Sequence, residues 1–164
     1  MTYGTLDRLS DAVALKLQTL GATRNTFVGL LTSEKTFDLY VGVLGILKSG
    51  AAYVPMDPVR NPLERTRFMV RDTGMSILWT VKVHEEYVGG LADCDGLSHV
   101  VFVDEELINA DNAIDNGDGD GDGDGDGDGM QQLERGLSGP EDYAYMIYTS
   151  GTTGMPKGEV LFIF

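Results

Sequence analysis

Thr26-Phe27-Val28-Gly29-Leu30-Leu31 is a short apolar run of strand length, and the periodicity changes just after it. Phe37, Tyr40, Val41, Leu44 and Leu47 recur at helical spacing, and Gly50 closes that helix. Ala52-Tyr53-Val54 then reads as a brief strand stopped by Pro55 and Pro58. Working outward, Leu6, Leu9, Val13, Leu17 and Leu20 predict a helix over residues 5–20 with Gly21 as its C-cap. Asn61-Pro62-Leu63-Glu64 offers a cap, a proline at the first helical position and an acid at the third. The helix it opens runs to about Asp72, before Gly74. Ser76–Thr80 and His99–Val103 read as further strands, and Tyr143–Tyr148 is aromatic and apolar enough to be a buried one. Strands alternating with helices predict an α/β fold, a parallel sheet covered on both faces.

The 164 residues suffice for one core and leave no room for two full catalytic lobes. Formal charge is −14, and it is concentrated. Asp104 to Glu134 carries 12 of the 26 acids and no Lys or Arg, so the remainder holds 14 acids against 12 bases. No basic patch suited to a nucleic-acid backbone is present. No uncharged apolar run approaches the ~18 residues of a membrane helix. Cys94 is the only cysteine, which excludes an internal disulfide, and His84 and His99 lack metal-site spacing. A cytoplasmic protein is expected.

After Asn116, glycine and aspartate alternate strictly from Gly117 to Gly129. Neighbouring carboxylates in an extended chain repel by only about 0.6 kcal/mol in water. Ordering each residue costs ~1–2 kcal/mol of backbone entropy, with no apolar side chain to offset it. Disorder is expected. A calcium loop fails on parity, because a Glu134 at its twelfth position would place Gly123 at its first. The organisation expected is therefore 1–110 and 133–164 as parts of one domain, with 111–132 an acidic linker or insertion.

The last strand runs directly into Thr149-Ser150-Gly151-Thr152-Thr153-Gly154-Met155-Pro156-Lys157-Gly158. Gly151 and Gly154 permit tight turns and close backbone approach, so that successive N–H groups can face one anion. Four hydroxyls add donors, Lys157 adds charge, and each bond to a charged group contributes roughly 1.5–3 kcal/mol. The segment follows the carboxyl end of a strand, where open α/β sheets bind ligands. It is not a Walker loop, since Lys157 lies between Pro156 and Gly158. A flexible Ser/Thr/Gly linker has a similar composition; the strand before it and the lysine after it favour a phosphate cradle.

Residues Tyr148–Gly158 resemble the phosphate-loop signature of the adenylate-forming (AMP-binding) superfamily. Leu47-Lys48-Ser49-Gly50-Ala51-Ala52-Tyr53-Val54-Pro55-Met56-Asp57-Pro58 resembles a second core motif, in the form found in amino-acid adenylation domains of nonribosomal peptide synthetases. Thr2-Tyr3-Gly4-Thr5-Leu6 resembles the first. The resemblance implies an incomplete parallel-sheet subdomain of the adenylate-forming fold. It also implies attack of a carboxylate on the α-phosphate of Mg-ATP, release of pyrophosphate, and transfer of the acyl group to a thiol. In a larger synthetase that thiol would be the phosphopantetheine of a carrier protein. By position, Thr149, Ser150, Gly151, Thr152, Thr153, Gly154 and Lys157 would contact the β- and γ-phosphates, with no catalytic or metal ligand assigned. Tyr53 and Asp57 belong to a motif read as mainly structural.

The sequence departs from the family at Glu159, where an apolar residue is usual, and in lacking the histidine expected shortly after. Residues 160–164 have the character of a strand's beginning. The substrate pocket, adenine contacts, magnesium-binding acid and C-terminal lobe have no counterpart in these residues. The expectation is a fragment that does not turn over alone, with apolar faces and strand edges uncovered. Two other readings stay open: a fatty- or aryl-acid CoA ligase fragment, and a noncatalytic remnant or interaction module.

Overall fold

The computed structural model describes residues 2–33, 36–103, 133–134, 138–149 and 156–163. Expectations for the Gly-Asp segment and for residues 150–155 lie outside that set. The chain opens with α1 (Tyr3–Thr19), β1 (Phe27–Leu31), α2 (Phe37–Lys48), β2 (Ala52–Met56) and α3 (Leu63–Thr73). It continues with β3 (Ile77–Thr80), a 3-10 turn (Lys82–His84), α4 (Glu85–Gly89), β4 (His99–Phe102), β5 (Tyr143–Thr149) and β6 (Lys157–Phe162). One six-stranded sheet results, in the order β4-β3-β1-β2-β5-β6. β4, β3, β1, β2 and β5 run parallel, and β6 is antiparallel to β5.

The strand order explains why both faces are covered. β1 to β2 steps one way along the sheet and β2 to β3 steps back across β1. Right-handed crossovers in opposite directions must place their helices on opposite faces. Accordingly Val41 and Ile46 of α2 pack with Val13 and Leu17 of α1, Val28, Leu30 and Trp79. Met69 and Val70 of α3 pack with Leu31, Val54, Leu78 and Leu91 on the other side. Burial of each such large aliphatic side chain stabilises the fold by roughly 1.5–3 kcal/mol.

Local signals account for the ends of the elements. Thr2 caps α1, its Oγ1 accepting from the Thr5 N–H at 3.2 Å. At the other end Leu20, not Gly21, is the cap residue. Gly21 is the next residue, at φ 96°, where the N–H of Gly21 donates to Gln18 and that of Ala22 to Leu17. At α3 the expected Asn61 cap is replaced by Pro62, whose carbonyl accepts from Arg65 and Thr66. The Asn61 N–H donates to the Asp57 carbonyl at 2.8 Å and its carbonyl accepts from the Tyr87 hydroxyl at 3.0 Å, so its backbone belongs to the preceding turn. Gly74, in the left-handed region, closes α3.

Two further boundaries and one unforeseen pair of short helical elements differ from the sequence expectation. β2 continues through Pro55 to Met56. The Ala52 N–H donates to Thr26 on the β1 side, so by alternation the nitrogens of Tyr53 and Pro55 face β5. Among the described residues β2 and β5 register only at Tyr53↔Tyr145, and the proline's missing donor costs no bond to β1. The last strand starts at Lys157 instead of Val160, because it pairs with β5 from Thr149 onward. The short α4 and its 3-10 turn escaped sequence reading, since neither is long enough to display a helical period.

Candidate functional site

The structure puts the two described ends of the candidate phosphate loop side by side. Thr149, the last residue of β5, registers opposite Lys157, the first of β6, and both are exposed. The connection between them therefore leaves from and returns to a single point at the carboxyl edge of the parallel strands. Ser150, Gly151, Thr152, Thr153 and Gly154 lie outside the described residues. Glu159 registers opposite Ile147 and shares a strand face with Lys157.

Beside that point lies a cleft of roughly 410 Å³, lined among others by Pro55, Met56, Asp57, Arg65, Ile147 and Tyr148. It forms where β2 and β5 cease to pair. Thus Pro55, by having no hydrogen to offer β5, helps leave the sheet open beside the loop.

β5 is secured at both ends. Before it, Asp142 is almost wholly buried at 2% exposure. Its carboxylate accepts from Arg24 Nη2 at 2.8 Å, from Arg24 Nε at 3.1 Å, from Asn25 Nδ2 at 3.2 Å and from the Gly139 N–H at 2.6 Å. The Arg24 guanidinium and the Gly139 amide hold its carboxyl below the usual range. Asn25, at φ 59°, accepts from the Tyr143 N–H at 2.9 Å. The turn before β1 thereby positions the start of β5. Upstream, Gln18 on α1 exchanges two hydrogen bonds with the backbone of Glu134, at 3.0 and 3.1 Å.

At the far end Tyr148 is the one buried residue of β5. Its hydroxyl donates to Asp72 Oδ2 at 2.5 Å and its carbonyl accepts from Arg65 Nη2 at 3.3 Å. Its ring meets Phe68 edge-on at 6.2 Å. Burial and the Asp72 charge push the phenol well above its ordinary value. Asp142, Arg65, Phe68 and Asp72 were not singled out in the sequence. Their partners are 76 to 118 positions away, and no local pattern reports such contacts.

The second motif is structural in its contacts. Lys48 Nζ reaches Asp7 Oδ1 at 2.6 Å, Ser10 Oγ at 2.7 Å and Asp11 Oδ1 at 2.8 Å, tying the end of α2 to α1. Tyr53 stacks on Tyr145 with ring centres 5.3 Å apart. Asp57 Oδ1 accepts from the Val59 N–H at 2.9 Å and so folds the turn after β2. Among the described residues no group of His, Cys, Asp and Glu gathers that could hold a metal ion. No helix among them is long and apolar enough to cross a membrane.

A largely parallel α/β sheet places the end of β5 and the start of β6 at its carboxyl edge, where open α/β folds bind ligands. The family model described as AMP-binding enzyme matches residues 1–162, and the chain belongs to that family. It is 40% identical over 161 residues to polyketide synthase PksN of Bacillus subtilis (strain 168), covering 96% of this chain and 2% of that protein. It is 35% identical over 160 residues to phosphinothricin tripeptide synthetase PhsB of Streptomyces viridochromogenes, covering 96% and 11%. The chain thus spans a small part of these relatives.

Among solved structures, the anthranilate CoA ligase AuaEII in complex with anthranoyl-AMP superimposes with a TM-score of 0.76 at 22% identity, covering 99% of this chain and 28% of that one. The nonribosomal peptide synthetase FmoA3, in its alpha-methyl-L-serine-AMP bound form, gives 0.71 at 25%, covering 99% and 15%.

Proposed function

We propose that this chain is the phosphate-loop-bearing part of an ATP-dependent domain that activates an amino acid as its acyl-adenylate. In that reaction a carboxylate oxygen attacks the α-phosphorus, the bond from that phosphorus to the bridging oxygen breaks, and pyrophosphate leaves with the electron pair. Thr149, Ser150, Gly151, Thr152, Thr153, Gly154 and Lys157 hold the β- and γ-phosphates. Donors fixed in advance stabilise the charge that grows on the leaving group. Magnesium accompanies the nucleotide, and its protein ligands are not assigned to the described residues. In a larger synthetase the acyl group passes to the phosphopantetheine thiol of a carrier protein.

The observation that carries this reading is the Thr149–Lys157 pairing, which returns the loop to its origin at the open, carboxyl edge of the sheet. An amino acid, in preference to a fatty or aryl acid, is supported by the form of residues 52–57 and by the tripeptide synthetase among the relatives. The chain covers 28% of the CoA ligase and 11% of the tripeptide synthetase and is not expected to complete the reaction alone; robust amino-acid-dependent ATP–pyrophosphate exchange by the purified chain would refute that part.

The binding claim is tested by titrating ATP and pyrophosphate while following the amide signals of residues 150–158. Saturable shifts that vanish in Lys157→Ala are expected. Unchanged spectra would mean a remnant that has kept the fold and lost the cradle.

A further inference from the structure

We propose that Arg65, Phe68 and Asp72 of α3 act as positioning residues, clasping Tyr148 so that the base of the phosphate loop is set before nucleotide arrives. This inference rests on reading residues 149–157 as that loop.

Spacings of three and four put Arg65, Phe68 and Asp72 on one stripe of α3. All three side chains converge on Tyr148, each through a different chemistry: a guanidinium on its carbonyl, a ring on its ring, and a carboxylate on its hydroxyl. Tyr148 directly precedes Thr149, the first loop residue.

Such a clasp matters here because the sheet holds this end of β5 from one side only. Past Tyr53↔Tyr145 no ladder pair joins β5 to β2 among the described residues. Across from Tyr148 the other neighbour, β6, presents Gly158. A Cβ there would run into Met146 Cε first and would also lie 3.2 Å from the Tyr148 ring, so glycine at 158 leaves room for both side chains. The end of β5 is therefore held by β6 on one side and by the side chains of α3 on the other. Thr149 and Lys157, the two described phosphate contacts, inherit their separation and direction from that arrangement. A strand end free to wander would have to be ordered by the ligand, at the ligand's expense in affinity.

The test uses the whole chain and three variants, Tyr148→Phe, Asp72→Ala and Asp72→Asn. Mg-ATP and pyrophosphate affinities are measured by calorimetry, and amide hydrogen exchange is followed without ligand. Tyr148→Phe and Asp72→Ala should each weaken binding about three- to tenfold, the scale of one charge-assisted hydrogen bond partly open to solvent. Combined, they should weaken it no further than either alone. Asp72→Asn retains an acceptor and should bind nearly as the unaltered chain does.

Exchange at Thr149 and Lys157 should quicken in the first two variants while β1 amides keep their protection. Gly45→Ala, which loosens the α1–α2 contact on the opposite face, serves as a stability control and should leave affinity unchanged. Equal loss in Gly45→Ala would reduce the clasp to ordinary stability, and unaltered affinity and exchange in Tyr148→Phe would overturn it. If the unaltered chain shows no Lys157-dependent binding, the phosphate-loop reading fails. Exchange at Thr149 and Lys157 then still decides whether the clasp holds.

Discussion

Asp142 places a strand by way of its charge. Nearly all its surface is covered, and four donors from Arg24, Asn25 and Gly139 converge on its two oxygens. Its carboxyl is held below the ordinary value of about 4. The folded state therefore binds that proton less readily than the unfolded chain does. The resulting stabilisation is complete above about pH 4 and is lost as pH falls through the lower native value. Asp142→Asn should lower the thermal midpoint at neutral pH, by an amount that stays level down to about pH 5 and shrinks below pH 4. Thermal melts of both chains across that range check it; a gap that widens with acid would contradict the ion pair as its source. Arg24 is itself 58% exposed, so added salt should narrow the gap. Glu159 offers a second case at this scale. It lies two residues from Lys157 on the same face of β6, a backbone spacing of about 7 Å. At that separation in water a unit charge contributes about 0.6 kcal/mol, close to a threefold change in affinity. Glu159→Gln should tighten pyrophosphate binding by that factor at low salt, as calorimetry would show. Glu159 was legible in the sequence as a departure from the family pattern. Asp142 was not, because an acid beside a strand looks like any surface acid until its partner 118 positions away is known.

The helices α1 and α2 cross closely enough that a methyl group decides their fit. A Cβ on Gly45 would lie 2.5 Å from Val13 Cγ1 and 3.3 Å from the Ser10 carbonyl oxygen. Valine is branched at Cβ and has few rotamers into which to retreat. Gly45→Ala gains helix propensity on α2, yet overpacking costs typically 1–3 kcal/mol against the ~1 kcal/mol recovered from replacing glycine. A net loss of about 1 kcal/mol is expected, read as a shift of the urea midpoint with an unchanged slope. The helical period itself was plain in the sequence, since the apolar stripe of α2 repeats over its whole length. The end at which a cap forms was less so. Asn61 has the right chemistry to cap α3, but its N–H is already committed to the turn that Asp57 builds, and Pro62 takes the cap position instead. Pro55 was read as a terminator for a sound local reason. The reading failed because, among the described residues, β2 has no ladder pair with β5 past Tyr53, and the proline turns its nitrogen to that side.

At the scale of the molecule, alternation of strand and helix was enough to predict a parallel sheet covered on both faces. The order β4-β3-β1-β2-β5-β6 was not, because which neighbour a strand chooses depends on faces that only packing defines. The charge distribution is a whole-molecule property that the sequence does state outright. Most of the −14 resides between Asp104 and Glu134, leaving the other residues nearly neutral. The chain leaves the sheet at Val103, which is fully buried, and is fastened again where Glu134 meets Gln18 on α1. On the proposed function, an ATP molecule approaching residues 149–157 carries charge of the same sign as that segment. Repulsion between them is long-ranged only where counterions are scarce. The screening length is about 30 Å at 0.01 M salt and about 8 Å at 0.15 M. Replacing Asp118, Asp120, Asp122, Asp124, Asp126 and Asp128 by serine should therefore tighten ATP binding severalfold at about 0.01 M and leave it unchanged near 0.15 M. Calorimetric titrations at the two ionic strengths decide the matter. A gain that persists at the higher salt would mean that these carboxylates reach the site itself, because only a charge within a few ångströms of the phosphates escapes such screening.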